Sequence, residues 1–159
     1  MTKKEPNTTI AVNKKAEFNY FLEERIEAGI VLQGWEVKSL RAGKIQVTDC
    51  YVLIKNAEAF LIGMNLTPLS TISTHYLPEP GRTRKLLLHR KELNRLIGLT
   101  QREGYTIVLT KVYWKNYKAK CQIAVGKGKQ VHDKRDTVKK RDWQREQGRI
   151  LRKNILTFN

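Results

Sequence analysis

The stretch Tyr105-Thr106-Ile107-Val108-Leu109-Thr110-Lys111-Val112-Tyr113-Trp114 turns near Lys115-Asn116 and returns as Lys118-Ala119-Lys120-Cys121-Gln122-Ile123-Ala124-Val125. Its first arm is rich in β-branched and aromatic residues, the composition of a strand. Its second arm alternates. Ala119, Cys121, Ile123 and Val125 point one way; Lys118, Lys120 and Gln122 point the other. The first set suits a core face. The second puts two ammonium groups on an exposed sheet face.

Outward from this hairpin, the chain reads as short strands with helices inserted. Phe18 to Leu22 and Gly29 to Leu32 are predicted strands. Trp35 to Ala42 is a predicted helix: Val37 and Leu40 share a face, and Gly43 supplies a stop. Ile45 to Ile54 and Ala59 to Met64 are strands joined by Lys55-Asn56-Ala57-Glu58. Asn56 tolerates positive φ but Ala57 does so less readily, so a tight primed turn is weakly signalled. Thr67 to Thr83, with Pro68, Pro78, Pro80 and Gly81, is a long loop of the kind that is often functional. Leu86-Leu87-Leu88 precedes a helix from about Arg90 to Arg102, striped by Leu93, Leu96 and Ile97 and ended by Gly104. The expected fold is mainly β with inserted helices: an OB-like β-barrel of about six strands plus two or three helices. Residues 13–126 form this domain, residues 1–12 are a flexible N-terminus, and residues 127–159 are a basic C-terminal tail.

Charge narrows the function. The chain has 159 residues, with 31 Lys and Arg against 15 Asp and Glu, a net charge of +16. A field this positive attracts polyanions, and nucleic acid is the leading partner. No apolar run approaches 18 residues, which excludes a transmembrane helix. A membrane surface would need a basic helix with a broad apolar face. The first nine residues lack the apolar stretch of a secretory signal, and Cys50 and Cys121 are too few for a disulfide framework. A reducing cytoplasm is the expected compartment.

The tail is unlike the rest. Residues 127–159 hold eleven Lys and Arg and four Asp and Glu. Their apolar residues, Val131, Val138, Trp143, Ile150, Leu151, Ile155, Leu156 and Phe158, cannot offset the entropy of ordering so long a segment. The tail is therefore expected to be disordered alone and to order on binding. A merely solvated extension is the alternative, but it has no need of Trp143, Ile150 or Leu151. With no Pro from Lys139 to Arg152, a bound helix is feasible.

No constellation supports catalysis. Gly126-Lys127-Gly128-Lys129 lacks the spacer and the trailing Ser or Thr of a phosphate loop and reads as a flexible basic hinge. His75, His89 and His132 are dispersed, and the cysteines sit singly, so no metal-ligand spacing exists. His75, in the long loop, is a weak catalytic candidate. Cys121 is a small core residue. Neither a cofactor nor a metal is expected.

Several segments, in order, resemble one family: SmpB, the tmRNA-binding proteins of bacterial trans-translation. They are Asn13-Lys14-Lys15-Ala16, Glu27-Ala28-Gly29 and Gly34-Trp35-Glu36-Val37-Lys38-Ser39-Leu40-Arg41-Ala42-Gly43-Lys44. Then come Arg82-Thr83-Arg84-Lys85-Leu86-Leu87-Leu88, Gly104-Tyr105-Thr106 and Tyr113-Trp114-Lys115. Last are Gly126-Lys127-Gly128-Lys129 and His132-Asp133-Lys134-Arg135. The resemblance implies an OB-like barrel that clasps the tRNA-like domain of tmRNA. It implies delivery of that RNA, with elongation factor Tu, to the 70S ribosome stalled on a message without a stop codon. The tail would enter the empty mRNA channel and decoding region of 16S rRNA.

By the same resemblance Glu27, Leu87 and Lys120 recognise tmRNA, joined at that face by Phe18, Asn13, Lys14, Lys38, Arg41 and Lys44. The ribosomal role of the tail falls to Lys127, Gly128, Lys129, His132, Asp133, Lys134, Arg135, Lys139, Arg141 and Trp143. The residues alone leave other roles open: solvation for Lys120, a salt bridge to Arg25 for Glu27, core for Leu87. Glu27 makes sense against RNA if it accepts hydrogen bonds from a base edge. Many relatives have His where Phe18 stands, Tyr where His132 stands, and Asn-Gly where Asn56-Ala57 stands. A monomer in the cytoplasm is expected. Two other classes stay open: a ribosomal or rRNA-binding OB-fold protein, and a small RNA-modifying enzyme. The absence of a nucleophile or cofactor motif weighs against the enzyme.

Overall fold

The computed structural model describes residues 8–70, 77–102 and 104–156. His75 lies outside the described residues. The chain enters through β1 (Thr9–Val12), a short strand. Residues 9–12 were expected to be flexible; they are ordered by pairing antiparallel along residues 111–113. Asn13 then caps α1 (Lys14–Asn19), its Oδ1 accepting from the Ala16 amide at 3.3 Å. Phe18 is therefore helical, not the start of a strand. The cap satisfies an orphan amide and commits the chain to a helical turn.

Next comes β2 (Tyr20–Ile30), one strand of eleven residues where two short ones were expected. Glu23, Glu24, Arg25 and Glu27 interrupt the apolar pattern without breaking the backbone, and the register shifts between Leu22 and Glu24. α2 (Gly34–Arg41) opens with a capping box, in which the Glu36 side chain returns to the Gln33 amide at 2.7 Å. Two residues, β3 (Ile45–Gln46), pair with β6 (Asn65–Leu66). Between them β4 (Tyr51–Lys55) and β5 (Glu58–Ile62) form a hairpin. Its turn places Asn56 at φ 53° and Ala57 at φ 56°, so the primed turn forms with alanine in a position that favours glycine. β7 (Arg84–Leu87) leads into α3 (Arg90–Thr100), whose Leu93 and Leu96 are buried. Then come β8 (Tyr105–Lys115) and β9 (Lys118–Gly128), the alternating hairpin.

The main sheet has the order β1-β8-β4-β5-β7-β2-β9, and β8 also pairs with β9. Six strands, from β8 round to β9, thus form a ring of hydrogen-bonded neighbours. The interior holds Leu61, Ile107, Leu109, Val112, Cys121, Ile123 and Val125, with Trp35 and Leu40 of α2 and Leu96 of α3 packed among them. The alternation read from the return strand holds. Cys121, Ile123 and Val125 are buried, Ala119 packs against the core, Lys118 is exposed, and Lys120 and Gln122 are half-buried. Both cysteines are free, and burial raises each thiol pKa to about 12, which makes them inert core residues.

One buried cluster was not expected. Glu36 and Arg84 are both fully buried and joined Oε2 to Nε at 2.5 Å. Arg82 meets the other carboxylate oxygen at 2.5 Å. Arg84 also donates to the carbonyls of Met64 (2.6 Å), Arg82 (2.8 Å) and Pro80 (3.0 Å). Burying a charge is tolerable only with such a full set of partners.

The chain divides into two units after Gly128. Lys127 and Gly128 belong to β9 and pair with Phe21 and Tyr20, so they are strand residues rather than a hinge. The second unit, which begins at Lys129, contains α4 (Val131–Leu156), a helix of 26 residues. The segment expected to be disordered alone and to order on binding is helical in this structure. That expectation weighed core burial against backbone entropy and left out local helix signals. The Asp133 carboxylate returns to the Gln130 amide at 3.1 Å, Asp136 precedes Lys140 by one turn, and no Pro interrupts. Among the described residues no helix is long and apolar enough to cross a membrane.

Candidate nucleic-acid interface

Three predicted residues, far apart in the chain, meet on the outer surface of the sheet. Gly29 of β2 stands opposite Leu87 of β7 on one side and Lys120 of β9 on the other. Lys120 in turn stands opposite Tyr113 of β8. One row across four strands therefore reads Tyr113, Lys120, Gly29, Leu87. Glu27, two residues before Gly29 on the same face, pairs with Gln122, which faces Lys111. Leu87 is 56% exposed, because β7 alternates with Arg84 and Leu86 inside and Lys85 and Leu87 outside. Gly29 leaves room at the centre of the row. A Cβ there would lie 3.3 Å from Leu87 Cβ and 3.7 Å from Lys120 Nζ, tighter than an ordinary packing contact on the leucine side.

Glu27 does not pair with Arg25, which instead faces Glu17 (3.6 Å) and Gln122 (3.4 Å). Its carboxylate accepts a short hydrogen bond from the Tyr113 hydroxyl and bonds from Lys115 Nζ at 3.2 and 3.3 Å. The Tyr113 hydrogen bond, with the Lys115 and Lys120 ammonium groups, holds the Glu27 carboxyl below its usual range. Burial and the same carboxylate push the Tyr113 phenol up. Glu27 is thus an ionised acceptor with its charge locally compensated. A carboxylate has about four lone-pair sites, so capacity remains for a donor from a base edge. The Lys111 ammonium lies 5.4 Å from the Tyr113 ring centre, adding a cation over an aromatic face.

The remaining predicted residues divide. Lys38 and Arg41 are exposed on α2, whose Val37 shares a surface notch with Gly29, Leu87 and Lys120; Lys44 is exposed just beyond that helix. They extend the basic surface from the same helix. Lys14 is exposed and Phe18 half-buried on α1, which packs on β8 and β2. Asn13 is a correction. It is 4% exposed, and its side-chain amide is used inside, with Nδ2 donating to the Leu109 carbonyl at 2.9 Å. Asn13 holds the fold and is not placed to touch RNA.

In α4, His132, Arg135, Lys139, Arg141 and Trp143 are exposed, and Asp133 and Lys134 are half-buried. Asp133 serves the helix start, and His132 Nε2 lies 3.0 Å from it. Lys129 Nζ reaches Thr137 Oγ1 at 3.2 Å. Helical spacing puts Lys134, Arg141, Arg145, Arg149 and Arg152 along one stripe, with Trp143 and Ile150 on the opposite side. Sequence reasoning missed the last three arginines of that stripe, although their 3.6-residue period was readable once a helix was allowed. It also missed Lys111, Tyr113 and Lys115, whose parity along β8 matches that of Lys118 and Lys120 across the turn. Among the described residues, no three His, Cys, Asp or Glu side chains gather in a group that could hold a metal ion.

Comparison with known proteins identifies the family. The family model for SmpB protein matches residues 10–153. The SsrA-binding protein of Chromohalobacter salexigens is 57% identical over 155 residues, covering 96% of this chain and 99% of the relative. That of Alcanivorax borkumensis is 59% identical over 149 residues, covering 94% of each. A solved chain described under "tmRNA-SmpB: a journey to the center of the bacterial ribosome" superposes with a TM-score of 0.62 at 38% identity, covering 80% of this chain and 93% of that one. With most of its length matched by the family model and by relatives above half identity, the chain belongs to the SmpB family.

Proposed function

We propose that this chain is a non-enzymatic RNA-binding protein that binds the tRNA-like domain of tmRNA and delivers it to stalled ribosomes in trans-translation. The observation that carries the reading is the row Tyr113, Lys120, Gly29, Leu87 with Glu27 beside it. It combines cations for phosphate, an apolar contact and an ionised acceptor for a base edge. The ring of six paired strands supports an OB-like barrel as the scaffold. The site residues act from its outer face, with Lys38, Arg41, Lys44, Lys14 and Phe18 widening the contact. Elongation factor Tu joins indirectly through tmRNA, and the protein works as a cytoplasmic monomer.

The second unit, from Lys129 through α4, takes the ribosomal role. Its arginine stripe neutralises rRNA phosphate in the vacant mRNA channel and decoding region, while His132 and Trp143 offer rings for stacking. A chain stopped after Gly128 should melt like the parent, retain tmRNA binding and fail to support peptide tagging. The test of the RNA assignment is to sequence the RNA that co-purifies with the full chain. One small stable RNA, tmRNA, should dominate, and Lys120→Ala should reduce its yield. Enrichment of bulk rRNA alone at high salt would instead indicate a ribosomal protein.

A further inference from the structure

The β8–β9 hairpin carries an unusual tip. Its two turn residues, Asn116 at φ 49° and Tyr117 at φ 62°, both lie in the left-handed region. Asparagine adopts that region with little strain; a bulky aromatic residue there is an outlier. Burial of the ring does not repay the strain. Tyr117 is 101% exposed, and its hydroxyl has no hydrogen-bond partner among the described residues. A turn selected for stability would carry glycine at this position.

Tyr117 stands at the rim of an open notch of about 360 Å³. Gly29, Leu87, Val37 and Trp114 give the notch an apolar lining, and Lys118 and Lys120 sit at its edge. Its size falls within the range of small-ligand clefts, roughly 300–1,000 Å³. A flat apolar group attached to an anion matches this combination. Resting on the reading of this face as the tmRNA surface, we propose that the notch takes one unpaired nucleobase of the bound RNA, with Tyr117 stacking on it. Lys118 and Lys120 meet the phosphates that flank the base. An unstacked base offers its ring to an aromatic side chain, which is the common mode by which proteins read single-stranded RNA. An exposed tyrosine swings about χ1 at little cost, so the tip closes over the base without moving the sheet. The notch contributes an apolar and aromatic term to binding, separate from the charge that every RNA shares.

The test uses the full-length protein with tmRNA as probe. Tyr117→Gly removes the ring and relieves the turn, so the variant should melt no earlier than the parent while binding tmRNA roughly 5- to 150-fold more weakly. Its slope of log affinity against log salt should match the parent, because no phosphate contact is lost. Tyr117→Phe should bind like the parent. One unpaired tmRNA base protected from dimethyl sulfate by the parent should become reactive with Tyr117→Gly. Lys120→Ala separates the two levels of the argument by lowering both affinity and salt slope. If Tyr117→Gly binds within twofold of the parent while Lys120→Ala is weakened, the notch assignment falls and the tmRNA reading stands. If neither variant is weakened, both fall. Tyr117→Phe binding as poorly as Tyr117→Gly also overturns the stacking role.

Discussion

Replacing Arg84 by methionine is the severest single test of the fold. Arg84 is fully buried and donates to the Glu36 carboxylate and to three main-chain carbonyls, those of Met64, Arg82 and Pro80. Burial pulls its guanidinium pKa down, and Glu36 opposes that shift. Methionine fills much of the volume and satisfies none of these acceptors. Breaking one side of a buried ion pair costs about 3–5 kcal/mol, and the abandoned carbonyls place this site at the upper end. For a folded unit of about this size, that range lowers Tm by roughly 10–20 °C. Thermal unfolding followed by circular dichroism reads the effect directly. Glu36→Leu combined with Arg84→Met should cost less than the sum of the two single changes, by about 1–3 kcal/mol. An Arg84→Met chain that melts within about 3 °C of the parent would refute the reasoning.

Two further changes probe the surface and a turn. Tyr113→Phe removes the main cause of the lowered Glu27 pKa, so the Glu27 titration followed by NMR should move up toward the ordinary carboxylate range. The native stabilisation from this carboxylate is present above its unfolded pKa and fades as pH falls through the lower folded value, so parent and variant should converge in acid; an unmoved titration contradicts the hydrogen bond's role. Ala57→Gly relieves a residue held at φ 56° and should raise stability by about 0.5–1 kcal/mol in a urea titration; a loss of stability would mean that the turn is not under strain.

The hairpin was legible because parity alone fixes each residue's environment there. Once Cys121 and Ile123 face inward, Lys120 has to face out. Leu87 was not legible, since three consecutive leucines carry no parity; only the pairing of Gly29 with Leu87 shows which one is outside. Glu36 reads in sequence as one charge in a polar helix. Its burial becomes visible only when Arg84, 48 positions later, is brought against it. Asn13 misled in the opposite way, as a polar residue in a matching segment whose amide serves the helix start and the Leu109 carbonyl. The division of β2 into two strands came from reading charged residues as a break, where an exposed strand face carries them without difficulty. In α4 the weighing of core burial against entropy left out local terms, because a helix draws on caps and one-turn neighbours as well as on a core.

Two of the sequence blocks that carry the family resemblance, Glu36 to Arg41 and Arg84 to Leu88, turn out to be parts of one device. Glu36 of α2 grips Arg84 at the start of β7. Within the same four-residue strand, Arg84 and Leu86 face in and Lys85 and Leu87 face out. A slip of one residue would carry Leu87 into the core and swing Arg84 to the surface. Glu36 would lose its nearest guanidinium while remaining buried, and the Met64 and Pro80 carbonyls would lose their donor. Such an arrangement costs several kcal/mol, in addition to the penalty of turning the apolar face outward. A buried ion pair contributes little net stability compared with apolar packing, so its value here lies in the register it enforces. That register places Leu87 opposite Gly29 and, across it, beside Lys120. The charge pair inside the fold thereby fixes the geometry of the proposed RNA face outside it.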